Sequence, residues 1–429
     1  MERRQAGAPP FADLTLQESL KFALWYAAAQ VGGWLRPRPV VRWGPRDCGP
    51  ASPDGISVVI PSRNGQSLLA AQMPGIARDL AMPSEIIVVD NGSSDGTAAW
   101  LAGEWPRVEV EISAEPLSFA AAVNRGIARA RYSHVCLLNN DMLLEPGFFT
   151  ALRGAFHQVP DLFCATAQIR FPAGVRREET GKAVMAQAHP DDFPLRCDIP
   201  IPGEDLTWVL YGSGGCSLYD ARMLRALGGM DEAYVPAYVE DLDVGYRAWQ
   251  FGWPTVFAAE AVVEHRHRAT TSRYYTEQEL ARVLEINYLK FLARAVARGP
   301  LFRKLWNQAT GRLRRRHNPV LRHAAWLALA GGPLERGAYR EERILALTSG
   351  DVAVFRGGDA AAAPLVTFAD RLEMPPAKVL ESHCEVVLVR SGKELALRAA
   401  IEWTERKRRA GDKWAGGIPS REPRLPSET

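Results

Sequence analysis

Along residues 56–141 short apolar runs alternate with longer stretches of helical period. Residues 57–60 (S-V-V-I), 85–89 (E-I-I-V-V), 108–112 and 135–138 read as strands bounded by turn formers. Between them, residues 67–80, 97–103 and 119–130 read as helices. Pro74 starts or interrupts the first of these, Ser94 or Asp95 caps the second, and the small residues of the third permit close packing. Strand and helix in turn predict an α/β fold with a mainly parallel, doubly wound sheet. No G-x-G-x-x-G follows any of these strands, which argues against a dinucleotide site of the Rossmann type.

The flanks follow other patterns. Residues 14–35 predict a helix that is apolar on most of its circumference and ends at Gly32-Gly33. It either packs on the main domain or lies at a membrane interface, with Trp25, Tyr26 and Trp34 at headgroup level. Residues 165–171 read as a strand, and the proline-rich, charged stretch 172–202 as a surface excursion of the kind that covers a site. Residues 221–227 predict a helix, and 256–257 and 261–263 two short strands. From 276 to about 326 the chain reads as helices, with Leu280, Leu284, Tyr288, Phe291 and Ala295 at helical spacing. Residues 352–355 and 386–390 are candidate strands and 394–409 a candidate helix, to which no function is assigned. The predicted organisation is an N-terminal helix and linker (1–55), an α/β domain (56–275, with halves 56–141 and 142–275), a basic helical extension (276–344) and a small C-terminal region (345–429).

Composition changes the picture at a few points only. The 429 residues are 47% hydrophobic and 24% charged, as in an ordinary globular protein. A net charge of +3 hides an asymmetry: between Ile286 and Leu334 there are ten Lys or Arg and no Asp or Glu. Such a block is either solvated or drawn to an anionic membrane. The six cysteines show neither C-x-x-C nor zinc spacing and read as reduced core residues. Residues 1–10 are polar, and no apolar run reaches the ~18 residues needed to span a bilayer. The expectation is a cytoplasmic protein, peripheral at the inner face of the membrane if the N-terminal helix and the basic 286–334 region touch lipid, with no nucleic-acid partner.

Candidate chemistry begins at C-L-L-N-N-D (136–141), where an apolar strand exits into three polar residues. Open α/β sheets bind ligands at that edge, and a desolvated carboxylate there wants a cation or a donor. Asp141 is thus a metal ligand or a turn residue capping the next element. Taken singly, Asp90 reads as a turn former, Glu240-Asp241 as acids favoured at a helix start, and His265 as a structural histidine. Their joint order says more: two acidic strand ends, a glycine-rich stretch (G-S-G-G, 212–215), an acid pair, then a late histidine.

The runs S-V-V-I-P-S-R-N, E-I-I-V-V-D-N-G-S-S-D-G-T, A-V-N-R-G-I-A-R-A and C-L-L-N-N-D resemble the nucleotide-binding half of glycosyltransferase family 2, inverting enzymes of the GT-A fold. G-G-M-D-E-A-Y-V-P-A-Y-V-E-D-L-D-V-G-Y-R-A-W-Q-F-G resembles the family's acceptor half and E-H-R-H-R-A-T-T-S-R its closing histidine motif, so the likeness covers residues 56–273. Within the family the chain is most similar to the rhamnosyltransferase-like branch of polysaccharide biosynthesis. The resemblance implies a GT-A fold, with a mixed, mainly parallel sheet flanked by helices and helical extensions. It also implies Asp90 on the ring N–H of a uracil or thymine base, with Pro61, Arg63, Asn124 and Asn139 completing a donor site for a UDP- or dTDP-sugar. Asp141 and His265 would hold Mn²⁺ or Mg²⁺, Asp241 would be the general base, and Glu240 would lie at the acceptor, a glycan or lipid-linked saccharide. Asn139 departs from the family's D-x-D pattern and brings no charge to the metal.

These residue types suit the reaction. A divalent cation neutralises charge developing on the leaving diphosphate. One carboxylate must take the acceptor hydroxyl's proton, and a single displacement inverts the anomeric centre without a covalent nucleophile. Cys216 then reads as packing. Two rivals remain: a sugar-phosphate nucleotidyltransferase, for which P-S-R-N-G offers only Arg63 to the phosphates, and a nucleotide-sugar-binding scaffold that has lost catalysis.

Overall fold

The computed structural model describes residues 14–36, 41–42, 48–159, 161–172, 174, 205–209, 211–250, 253–266, 273–296, 299–330, 336–337, 351–355 and 386–390. They fall into two compact units, residues 1–43 with 275–337 and residues 44–274 with 338–429. In chain order the elements are α1 (Leu16–Leu35), β1 (Val41–Arg42), β2 (Ile56–Ser62), α2 (Gln66–Asp79), β3 (Ser84–Asn91), α3 (Thr97–Glu104), β4 (Glu109–Ser113), α4 (Phe119–Arg129), β5 (His134–Leu138), β6 (Met142–Leu144) and α5 (Phe148–Gln158). There follow β7 (Cys164–Arg170), β8 (Thr207–Val209), β9 (Cys216–Asp220), α6 (Ala221–Ala226), α7 (Glu240–Gln250), β10 (Thr255–His265), α8 (Glu277–Ala295), α9 (Gly299–Arg315), α10 (Val320–Ala330), β11 (Arg336–Gly337), β12 (Asp351–Phe355) and β13 (Val386–Arg390).

The larger unit is built on a nine-stranded sheet of order β4-β3-β2-β5-β9-β7-β10-β6, with β8 paired to β10. From β4 to β5 every pairing is parallel. The strands of this half are continuous apolar runs because both faces are covered: Ile56, Val58, Val59 and Ile60 are all buried. Helix α4 closes on them through Gly126, where a Cβ would collide with Val59 Cγ1. Ala122, Val123 and Ile127 on the same helix join Val59, Ile87 and Val89 in one cluster. Beyond β5 the sheet turns mixed. Strand β9 is antiparallel to both neighbours, β7 and β10 are parallel, and β6 and β8 run antiparallel to β10. Strands β12 and β13 form a separate antiparallel pair at the predicted positions, while the predicted helix 394–409 and most of the 172–202 excursion lie outside the described residues.

Three local expectations are corrected. Helix α2 runs unbroken through Pro74, because the carbonyl left without its partner, that of Ala70, belongs to an exposed residue that water reaches. The cap of α3 falls on Gly96, at φ 83°, while Asp95 Oδ1 accepts from Thr97 N at 3.1 Å. The two short strands expected at 256–257 and 261–263 are one strand, β10, whose register against β7 shifts between Ala258 and Val262. That bulge breaks the alternation a continuous strand would show.

The smaller unit gathers α1 with α8, α9 and α10, so the N-terminal helix and the basic extension pack together. Thr15 and Glu18 form a capping box at the start of α1. The helix ends at Leu35, the expected bound, and runs through Gly32-Gly33 rather than stopping there, because the two glycines are contact points. A Cβ at Gly32 would lie 2.9 Å from Leu329 Cδ2, and one at Gly33 2.9 Å from Trp306 Nε1. Trp306 donates from Nε1 to Ala29 O at 3.0 Å and Gln30 from Nε2 to Thr310 Oγ1 at 2.8 Å. Among the described residues no helix is long and apolar enough to cross a membrane.

Candidate active site

The carboxyl ends of β2, β3 and β5 lie side by side, and short polar loops follow each of them. After β2, Pro61 and Ser62 close the strand and Arg63 and Asn64 turn away, Asn64 at φ 48°. Arg63 stacks its guanidinium on Tyr274, 4.1 Å from the ring centroid, and its buried Nε has no hydrogen-bond partner. Asn64 donates from N to Ser93 Oγ at 2.9 Å and from Nδ2 to Tyr274 Oη at 2.8 Å. After β3, Asp90 is buried and its Oδ1 accepts from Ser93 N at 3.1 Å. Ser93 therefore ties the Asp90 and Arg63 loops together.

After β5 the N-N-D turn is held from three sides. Gln72, buried on α2, donates from Nε2 to Asn139 O at 2.6 Å and to Met142 O at 2.8 Å. Asn140 donates from Nδ2 to Ser62 Oγ at 2.8 Å. Asn139 N bonds to Gly215 O at 2.8 Å, and its amide packs where a Cβ at Gly215 would stand. Asp141 is buried with Oδ2 3.2 Å from His265 Nε2, while its Oδ1 is buried with no hydrogen-bond partner. The pairing of Met142 with His265 across β6 and β10, and the bond from Arg266 N to Asp141 O at 2.9 Å, set this meeting over a separation of 124 residues. A lone buried carboxylate oxygen beside an imidazole is a donor set that fits a divalent cation. Among the described residues no group of three or more His, Cys, Asp or Glu is assembled for a metal. Protein ligation through Asp141 and His265 would therefore leave positions for phosphate oxygens or water.

The acid pair opens α7. Tyr238 and Val239, at φ 74° and 82°, precede it in the left-handed region, a strained conformation for a β-branched residue. Asp243 N still bonds to Val239 O at 2.9 Å, which starts the helix there. Asp241 is partly exposed: Oδ2 accepts from Gly214 N at 3.3 Å and Oδ1 from Leu242 N at 2.8 Å. Glu240 is buried with Oε2 unpartnered. Desolvation, and then the neighbouring Asp241 and Asp243 carboxylates, hold its carboxyl well above the usual carboxylate range. The two adjacent acids thus differ, Glu240 favouring its neutral form and Asp241 lying among backbone donors. Asp243 anchors the helix: it accepts from Tyr234 Oη at 3.1 Å and from Arg247 Nε at 2.6 Å, and Arg247 also binds Leu227 O and Gly229 O.

The bonds link Asp90 to the Arg63 loop, and Asn139, through Gly215-Gly214, to Asp241. They bring Asp141 onto His265. Asn124 is not drawn into this set. Its Nδ2 binds Met230 O and Glu232 Oε1 and its Oδ1 accepts from Met230 N, all at 2.9 Å, so it holds the turn that follows α6. Cys216 lies buried in β9. Gln72 was missed from sequence, although a glutamine among Leu68, Leu69, Met73 and Ile76 on the buried face of α2 is a readable signal.

The model of the family described as Glycosyltransferase like family 2 matches residues 53–283, more than half of the chain. The chain belongs to glycosyltransferase family 2. Its mixed sheet flanked by helices agrees with the GT-A class expected of that family. Among curated relatives, an uncharacterized protein of Sinorhizobium fredii is 26% identical over 251 residues, 55% of this chain and 27% of that protein. The family 2 chain therefore spans little more than a quarter of that relative's length. An N-acetylglucosaminyl-diphospho-decaprenol L-rhamnosyltransferase of Mycobacterium tuberculosis is 27% identical over 216 residues, 44% of this chain and 69% of that one. Among solved structures, GalNAc-T7 with UDP, GalNAc and Mn²⁺ aligns with a TM-score of 0.44 at 15% identity, over 56% of this chain and 47% of that one.

Proposed function

We propose that this family 2 chain transfers a sugar with inversion from a UDP- or dTDP-linked donor to a glycan or lipid-linked saccharide, in the building of surface polysaccharide. The observation that carries the reading is the Asp141–His265 pair with its unpartnered buried oxygen, set at the sheet edge beside an acid pair on α7. Asp90, with Ser93 N on one oxygen, is the base-recognising carboxylate. Pro61 and the unpartnered Nε of Arg63 lie along the nucleotide, and the Asn139 amide faces the donor. Asp141 and His265 are the residues that would hold Mn²⁺ or Mg²⁺, and the bound cation would neutralise charge developing on the leaving diphosphate.

Asp241 is the general base. Its carboxylate is aimed by Gly214 N and lies where an acceptor hydroxyl can reach it, whereas Glu240 is buried and favours its proton. Glu240, its carboxyl held well above the usual carboxylate range by burial and then by Asp241, competes less for the transferred proton and lies at the acceptor. The test is binding and turnover with a panel of UDP- and dTDP-sugars, each with and without Mn²⁺. Binding of one donor class, strengthened by Mn²⁺, is expected in the wild type. Asp241→Asn should bind that donor equally and turn over about a thousandfold slower. Failure of every nucleotide sugar to bind would remove the reading, and unchanged turnover in Asp241→Asn would remove Asp241 as base.

A further inference from the structure

One face of the smaller unit is apolar and open to solvent. On α1, Leu16, Leu20, Leu24, Ala27, Val31 and Trp34 follow one another at intervals of three or four residues, so they share a single stripe. Leu24 is 69% exposed and Trp34 72% exposed. The opposite side of the helix, Ala29, Gly32 and Gly33, is buried against α9 and α10. Half of the helix's apolar circumference is thus used in packing and half is not.

A second stripe continues the first. On α10, Arg322, Trp326 and Leu329 are exposed at i, i+4 and i+7, and Leu329 meets α1 at Gly32. At the carboxyl end of α1 a cavity of about 450 Å³ opens between Val31, Trp34, Leu35, Arg303 and Trp306. Large hydrophobic side chains that stand exposed together on two adjoining helices mark an interaction surface.

Charge decides what covers this face. The segment between Ile286 and Leu334 holds ten Lys or Arg and no acid. Lys21, Arg314, Arg315, Arg316 and Arg322 are exposed on the elements that carry or adjoin the stripes. A second copy seated on the same face would set this cationic segment against itself. An anionic lipid surface supplies the opposite charge, an apolar layer beneath it, and a headgroup zone suited to Trp34 and Trp326. We propose that the smaller unit docks in plane on an anionic phospholipid bilayer, with the α1 and α10 stripes in the acyl boundary and the arginines among the headgroups.

The inference does not depend on the transfer reading, and its readout is separate from turnover. The full chain is floated with vesicles of phosphatidylcholine, alone or with about 30% phosphatidylglycerol. Expected is binding to the mixed vesicles, at least about tenfold weaker on phosphatidylcholine alone, and weakened by salt. Leu24→Glu with Trp34→Glu should lower binding at least about tenfold while leaving the thermal midpoint unchanged, since both side chains are exposed. Arg315→Glu with Arg322→Glu should abolish the preference for the anionic vesicles. Absence of vesicle binding would overturn the proposal. So would equal binding by the Leu24→Glu, Trp34→Glu variant, or a wild-type dimer that this variant splits while vesicles remain unbound.

Discussion

At the amino end of the central strands, polar side chains bind one another. Glu85 accepts from Ser57 Oγ at 2.6 Å and from Arg131 N and Nε at 2.7 Å. Arg153 bridges His134 and Asp54, and Ser133 Oγ bonds to Asp54 and lies 2.8 Å from His134 Nδ1. At the carboxyl end of the same sheet, Arg63 Nε, Asp141 Oδ1 and Gln72 Oε1 are buried without partners, and Glu240 Oε2 is in the same condition at the start of α7. An unpaired buried polar atom costs about 1–3 kcal/mol, so the two ends contribute oppositely to stability. The Glu85 and Arg153–His134 clusters match their own groups and brace the amino end of the sheet, where Thr255 Oγ1 is also buried without a partner. The carboxyl end, with its unmatched atoms, is the one where the proposed donor and metal would supply the missing partners.

Substitutions at the two ends should therefore separate activity from stability. The largest effect is expected at the open end. Asp141→Asn should cost turnover about three orders of magnitude, and its urea midpoint should equal or exceed that of the wild type. A clear loss of stability would mean that Asp141 is a structural residue.

The closed end should show itself in pH. Burial, and then the Arg153 charge, push His134 down to about 4 from an ordinary 6.5. The native state therefore prefers neutral His134, and the unfolded chain takes up its proton first. This contribution is complete above pH 6.5 and is lost as pH falls toward 4, about 3 kcal/mol in all. Urea unfolding at pH 7 and pH 4 measures it, and His134→Gln should flatten the dependence in that window. Glu85→Ala, which strands Ser57 and Arg131, should lower stability by about 2 kcal/mol and leave turnover per folded molecule unchanged. The smallest effect is expected for Gly215→Ala. The new methyl would displace the Asn139 amide and raise the donor KM about tenfold, with the thermal midpoint little changed because Asn139 is partly exposed.

The strands were the legible part of the sequence, whereas the Glu85–Arg131 and Arg153–His134 clusters at their amino ends gave no local pattern. Residues 57–60 and 135–138 are apolar because both faces of the parallel half are covered, so their strands could be read directly. Asp90, Asp141, Asp241 and His265 could be singled out as candidates because each stands at the start or end of an element with a clear pattern. Their partners were harder to read. Ser93 and Gly214 act through backbone N–H groups, which every residue carries. Val239 is left-handed against the preference of a β-branched residue, which its residue type does not announce. Asn124 follows the same limit from the other side: its residue type suits a ligand contact, but the nearby Met230 turn takes its bonds. Strand β10 was read in two pieces because its bulge hides the continuity, and that continuity is what carries His265 to the edge.

The Asp141–His265 meeting has a consequence for how this edge of the molecule forms. Among the described residues, strand β6 joins the sheet through β10, whose partner residues lie some 120 positions further along the chain. Such distant pairings are the late and entropically expensive steps of folding. A ligand that engages both side chains is bound only by molecules in which the β6–β10 register is complete, and by mass action it raises their share. Slower deuterium uptake at the amides of residues 142–144 and 263–265 on adding Mn²⁺ and a nucleotide would then report a loaded donor site in the absence of any acceptor.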